Sequence, residues 1–104
     1  MQIVESVYIL VKKLPNSELF GASLQMRKAA VSMPSNIAEG CSRSSNKEVA
    51  HYFEVSIGSA FELETQLLIC VRVGYFEANE VESLVTQLHS FQKKTNNYLK
   101  TLRQ

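Results

Sequence analysis

The stretch SNKEVAHYFEVSIGSAFELETQLLICVRVG, residues 45–74, settles the fold class. Within it Val49, Phe53, Ser56, Ala60, Leu63, Leu67 and Cys70 recur at spacings of four and three. That rhythm puts all seven on one face of a helix, in heptad register. Both ends are punctuated. Ser45 with Glu48 three residues on is a capping box, in which side chains satisfy orphan amides of the first turn. Gly74 supplies the left-handed residue that commonly closes a helix. The spacing therefore predicts one long amphipathic helix from about Ser45 to Val73.

Outward from this helix the same rhythm continues. Before the turn at 42–46, residues 17–42 carry Leu19, Ser23, Met26, Ala30, Met33 and Ile37 at alternating spacings. The breaker inside that segment is Pro34, which removes the bond to the Ala30 carbonyl and predicts a kink. After Gly74, residues 78–103 carry Val81, Leu84, Leu88, Phe91, Thr95, Tyr98 and Leu102, behind a weak cap at Glu77. Residues 2–14 carry Val4, Val7, Val11 and Leu14, with enough β-branched side chains that a strand is the alternative. Pro15-Asn16-Ser17 ends this first segment. The chain has four Gly, two Pro and no Asp, too few turn formers for a small β domain. Short connections between amphipathic helices make neighbours antiparallel. The expectation is an all-α, up-down antiparallel four-helix bundle over 1–104, one domain, with left-handed packing. Helix one is about half as long as the others, each ~40 Å at 1.5 Å per residue. It leaves part of the core groove uncovered, and such a groove expects a partner.

Charge is nearly balanced, 11 basic against 10 acidic residues, so its distribution matters more than its sum. The up-down path gathers Arg43, Lys47, Lys94, Lys100 and Arg103 at one end, a candidate polyanion-binding pole. The plainer reading is that cations at the end of the last helix complement its dipole. Glu18, Glu77, Glu80 and Glu82 gather at the opposite end, diluted by Lys12, Lys13 and Arg72. Pairing segments two and three around residues 44–45 sets Arg27 level with Glu62 and within a turn of Glu64. An ion pair there would fix register.

No chemistry-bearing motif assembles. Glu48 and His51 make one E-x-x-H, but a di-iron bundle needs two and further inward carboxylates. Cys41 and Cys70 stand 29 residues apart without a C-x-x-C, and both read as small core residues. There is no nucleophile elbow, P-loop or dinucleotide fingerprint. The expectation is no enzyme, no metal and no cofactor. No apolar run approaches a membrane span of roughly 20 residues, and the start lacks signal-peptide features. A cytoplasmic protein with reduced thiols and no membrane partner is expected.

Residues 29–40 read Ala-Ala-Val-Ser-Met-Pro-Ser-Asn-Ile-Ala-Glu-Gly, followed by Ser45-Asn46-Lys47-Glu48, then Gly58 through Leu67 as GSAFELETQL, then Val73-Gly74-Tyr75. This ordered set closely resembles the bacterial four helix bundle protein family. Its members include proteins encoded in intervening sequences of 23S ribosomal RNA genes, and its relatives the accessory variability determinants of diversity-generating retroelements. The resemblance implies a four-helix protomer assembling into a ring-like homopentamer. In the retroelement relatives it implies a basic surface that binds nucleic acid and the reverse transcriptase. RNA, DNA or such an enzyme are thus the candidate partners, beside further copies of the chain.

Arg27, Pro34, Ser35, Asn36, Glu39, Gly40, Ser59, Glu62 and Glu64 match the family pattern and imply no catalytic residue. Physically the set reads as architecture. Ser35 and Asn36 can bond backbone groups freed around Pro34, while Gly40 and Ser59 permit close helix approach. A ligand site built from Arg27, Asn36 and Glu39 is the alternative. Two features depart from the pattern. Family members carry a further aromatic-containing stretch that lengthens helix one, and the retroelement relatives are far more basic. The leading expectation is a non-enzymatic homo-oligomeric module docking nucleic acid or its enzyme. The alternative is a purely structural, protein-interaction module.

Overall fold

The computed structural model describes residues 2–104, and among them every regular element is helical. Helix α1 is Gln2–Val11, α2 is Leu24–Cys41, α3 is Asn46–Arg72 and α4 is Ala78–Leu102. Between α1 and α2 the chain makes a 3-10 turn, Asn16–Glu18, and a π turn, Leu19–Ser23. Helices α2, α3 and α4 pack as sequential antiparallel neighbours, and α1 lies against α2 and α4. The bundle measures 44 × 23 × 19 Å. No helix among the described residues is long and apolar enough to cross a membrane.

The ends of α3 form as its sequence dictates. The Ser45 hydroxyl accepts the Glu48 amide at 3.2 Å. The Glu48 carboxylate then accepts the Ser45 hydroxyl, not the Ser45 amide, so the expected box is half formed. At the other end Gly74 has φ +87. The Tyr75 amide donates to Cys70 O and the Gly74 amide to Val71 O, the paired bonds of a Schellman cap. The start of α4 is stronger than expected. Glu80 reaches back to accept the Glu77 amide at 2.8 Å and also pairs with Lys13 of the chain leaving α1.

The core divides in two. The larger cluster takes α1 with the adjoining halves of the other helices, and Val7, Met26, Leu63, Leu67 and Leu88 are sealed there. A smaller one, Ala50, Phe53 and Leu99 with Ile37, Val49, Ile57 and Leu102 packed on it, contains only α2, α3 and α4 residues and the start of α3. The short first helix covers one half of the bundle, and the smaller cluster is the half it does not reach.

Several expected positions shift. Segment two is not one regular helix from residue 17, because the backbone leaves helical dihedrals at Gly21. There Glu18 caps the turn by accepting the Ala22 amide at 3.2 Å. A Cβ on Gly21 would lie 2.7 Å from that carboxylate. Pro34 sits inside α2, which runs on through it to Cys41. Leu19 is exposed rather than buried. On α1 the inward residues are Ile3, Val7 and Leu10, with Val4 and Val11 on the flank. Cys41 lies at the surface, while Cys70 is buried as expected.

Beyond Leu88 helix α4 keeps Thr95 of the predicted stripe, but its other buried residues are Gln92 and Leu99. Phe91 and Leu102 lie half-buried on the edge of the core, and Tyr98 is exposed. From Val81 to Leu99 the inward set closes five turns in 18 residues, or 3.6 per turn. That is the period of a straight helix, whereas a heptad stripe needs supercoiling to 3.5. The drift turns the polar Gln92 inward.

Candidate functional site

Four places bear on function: a polar belt around Pro34, the Glu64–His89–Gln92 contact between α3 and α4, the basic pole, and two grooves. The belt occupies the α2–α3 seam between the two core clusters. Asn36 Nδ2 donates to Ser32 O at 2.8 Å and to Ser32 Oγ at 2.9 Å. Ser32 Oγ meets Ser59 Oγ at 2.8 Å, and Ser59 Oγ donates to Val55 O at 3.2 Å. Since Ser59 spends its proton on Val55, the shared proton between the serines comes from Ser32. The chain therefore runs one way, from Asn36 through Ser32 and Ser59 to a backbone carbonyl. Ser56, fully buried, donates to Met33 O at 2.7 Å beside Pro34. Ser35 is exposed and adds no side-chain bond to this belt.

These serines let α2 and α3 approach while satisfying every hydroxyl they bury. Gly40 continues the close approach. A Cβ there would stand 2.8 Å from the Phe53 ring and 3.2 Å from Tyr52 Cβ. The geometry supports an architectural role for Asn36, Gly40 and Ser59. It does not gather Arg27, Asn36 and Glu39 into a ligand site. Asn36 belongs to the belt, Glu39 pairs with Arg43, and Arg27 Nε donates to Ser23 O of its own helix at 3.3 Å.

The expected Arg27 ion pair with Glu62 or Glu64 is also absent from the ion pairs among the described residues. The level is right and the side is wrong. Ser32 meets Ser59, so five residues toward the α3–α4 turn Arg27 and Glu64 stand level. Arg27, however, lies on the α1 side of α2, whereas Glu64 turns to α4. There it accepts Gln92 Nε2 at 2.9 Å and meets His89 Nε2 at 3.0 Å. Glu62 is exposed and accepts Gln66 Nε2 at 3.3 Å.

The bond from Gln92, then that from His89, holds the Glu64 carboxyl below its ordinary value, against a smaller opposing push from burial. A depressed folded-state pKa stabilises above the unfolded value, about 4.5, and this contribution disappears as pH falls through the folded value. Glu64→Gln should therefore lower stability at neutral pH and flatten the loss of stability below about pH 4.5. Urea midpoints measured from pH 7 down to pH 3 test this. Parallel acid limbs in wild type and variant would refute it.

At the basic pole the five cations divide into two paired arginines and three lysines. Arg43 is paired with Glu39, hydrogen-bonded to the Tyr52 hydroxyl and stacked 4.9 Å above the Tyr52 ring. Arg103 is paired with Glu54. Both arginines are spoken for by the fold. Lys47, Lys94 and Lys100 are exposed at the same half of the bundle without an ion pair among the described residues. Among the described residues no three His, Cys, Asp or Glu come close enough to hold a metal ion. His51, the histidine of the E-x-x-H, packs edge-on against Tyr52 at 5.2 Å.

The remaining features were not legible as function in the sequence. Large apolar side chains stand in water on every helix. Ile9 is 63% exposed, Phe20 81%, Phe61 53% and Ile69 54%. Two grooves carry part of this surface. One runs between α1 and α2, past Tyr8, Leu19, Leu24, Arg27 and Val31. The other runs between α3 and α4, past Phe61, Leu68, Val71, Val85 and His89.

No curated protein matches the chain. The profile of the 23S rRNA-intervening sequence protein family matches residues 1–97, nearly the whole bundle and all of the α2–α3 belt. With four helices in that order and that match, the chain belongs to the 23S rRNA-intervening sequence protein family.

Proposed function

We propose that the chain is a non-enzymatic, self-assembling module, in the five-membered ring that the family resemblance implies. Its repeated basic pole docks nucleic acid or an enzyme acting on it. The observation that carries self-assembly is the apolar surface left in water, from Ile9 and Phe20 to Phe61 and Ile69. Isolated exposed apolar residues are ordinary, but apolar grooves flanked by them on two sides of so small a bundle mark contact surfaces. The docking half rests on Lys47, Lys94 and Lys100. Three lysines bind a polyanion weakly, but a ring presents the set in every copy, so contacts add through avidity.

One specific observation favours the second reading, a protein-interaction module without nucleic-acid binding: Arg43 and Arg103 are already paired. One pair of measurements separates the readings. Sedimentation at micromolar concentration should give a mass several times 11.7 kDa. A salt titration with a mixed-sequence RNA should then show affinity falling steeply with salt. Lys94→Ala with Lys100→Ala should flatten that slope by about two for each copy in contact. A monomer would remove the ring. An assembly that binds no RNA at low salt would leave the interaction module.

A further inference from the structure

We infer that the groove between α1 and α2 of one copy packs on the groove between α3 and α4 of the next, which rests on the self-assembly proposed above. The packing order makes these two grooves opposite sides of the bundle, since α1 touches α2 and α4 while α3 touches the same two. Two different faces that fit each other make a head-to-tail contact, the kind that generates rings or filaments.

Their chemistry is complementary in sequence along the helix axis. The α1/α2 groove is apolar at Tyr8, Leu24 and Val31, and its charged residues are Lys12, Arg27 and Lys28. The α3/α4 groove encloses about 500 Å³ beside Leu68, Val71 and Val85 and carries Glu82, with Glu64 held against its His89 wall. Phe61 continues this apolar strip. Exceptions to the charge pattern exist on both sides. Glu5 lies one turn before Tyr8 on α1, and Lys93 lies beside Phe61.

The heights also agree. The Lys13–Glu80 pair sets α1 against α4, which brings Lys12 within a turn of the level of Glu82. The Ser32–Ser59 contact makes Arg27 level with Glu64. Tyr8 and Leu24 fall between the two cations, and Leu68 and Val85 between the two carboxylates. Joining the faces therefore needs no slide along the helices. With no slide, a turn at each contact about an axis parallel to the bundle closes a ring, whereas contacts without a turn extend as an open row. A slide at each step would instead build a helical filament.

The test is charge reversal across the contact, read as mass by sedimentation at low salt. Lys12 and Glu82 are both exposed, so their substitution spares the core. Lys12→Glu and Glu82→Lys should each weaken assembly about tenfold, because each sets like charges face to face. The double variant Lys12→Glu/Glu82→Lys should recover wild-type assembly, since each copy then offers the swapped pair. Leu68→Asp, at a position 48% exposed, should leave protomers. Circular dichroism shows whether each variant folds, and if Leu68→Asp does not, the reversals alone decide. A monomeric wild type would defeat self-assembly itself. An assembled wild type whose single reversals keep full mass, or whose double variant fails to recover, would leave self-assembly standing and overturn this pairing of faces.

Discussion

Leu67→Ala should destabilise the bundle by about 3 kcal/mol, within the 2–5 kcal/mol range for buried Leu truncations. Leu67 is 0% exposed and belongs to the cluster that also seals Val7, Met26, Leu63 and Leu88. Helix propensity offers no offset of comparable size, since Ala and Leu differ by only a few tenths of a kcal/mol. The loss is the transfer term plus the void, because four helices that interdigitate relax only in part. Against a total stability of roughly 5–15 kcal/mol, one side chain removes a large fraction. With a urea slope of about 1–1.5 kcal/mol per molar, the midpoint should fall by about 2–3 M. Wild type and variant must be compared at one protein concentration, because assembly stabilises the fold by mass action. A shift under about 0.5 M would mean that Leu67 is not sealed in the core.

Gly40→Val should cost about 2–3 kcal/mol, although Gly is the poorest helix former after Pro. Two effects oppose each other. Replacing a helical glycine returns up to about 1 kcal/mol of backbone entropy. Against this, even the first added carbon would lie 2.8 Å from two Phe53 ring atoms, and valine's methyls come further still. Phe53 cannot swing away freely, because it packs with Ala50 and Leu99 and stacks on Tyr98 at 5.1 Å. Steric repulsion therefore outweighs the entropy gain. For a domain of this size the melting temperature should drop by roughly 10–15 °C. In a Phe53→Leu background the same substitution should cost much less, since the obstructing ring is gone. An equal cost in both backgrounds would show that the helices do not meet at Gly40.

What could be read in the sequence divides along a physical line. The α3 stripe came out buried from Phe53 to Cys70 because it lies between two helices there, where a seven-residue repeat stays in contact. Ser45 and Gly74 were equally plain, since caps act within a few residues of themselves. The α4 stripe kept Thr95 but shifted to Gln92 and Leu99, because its inward set follows the natural 3.6 period from Val81 onward. That drift took Gln92 to Glu64 and left Tyr98 at the flank. Cys41 failed because in the last turn of α2 it is Gly40 that faces α3, and Cys41 turns outward.

The candidate pole divided in the same manner. Counting along antiparallel helices placed Arg43 and Arg103 at one end correctly, yet of their partners Glu39 comes from the end of α2 and Tyr52 and Glu54 from the start of α3. Arg27 shows the rule at one residue. Helix length and turn position determine height, so its level with Glu64 was predictable. Which side of the cylinder a residue presents depends on how the helices roll against one another.

Sequence alone therefore determined what is local or periodic: four helices, their order, their caps, the sealed centre of α3, and the family motif around Pro34. Tertiary structure decided what depends on rotation and distance. It paired two of the pole's five candidate cations, closed the serine belt, sent Glu64 to α4, and set a basic and an acidic groove at equal heights on opposite sides. Period and capping act over a few residues, whereas the Glu64–His89, Ser32–Ser59 and Glu54–Arg103 contacts join side chains 25 to 49 positions apart through packing.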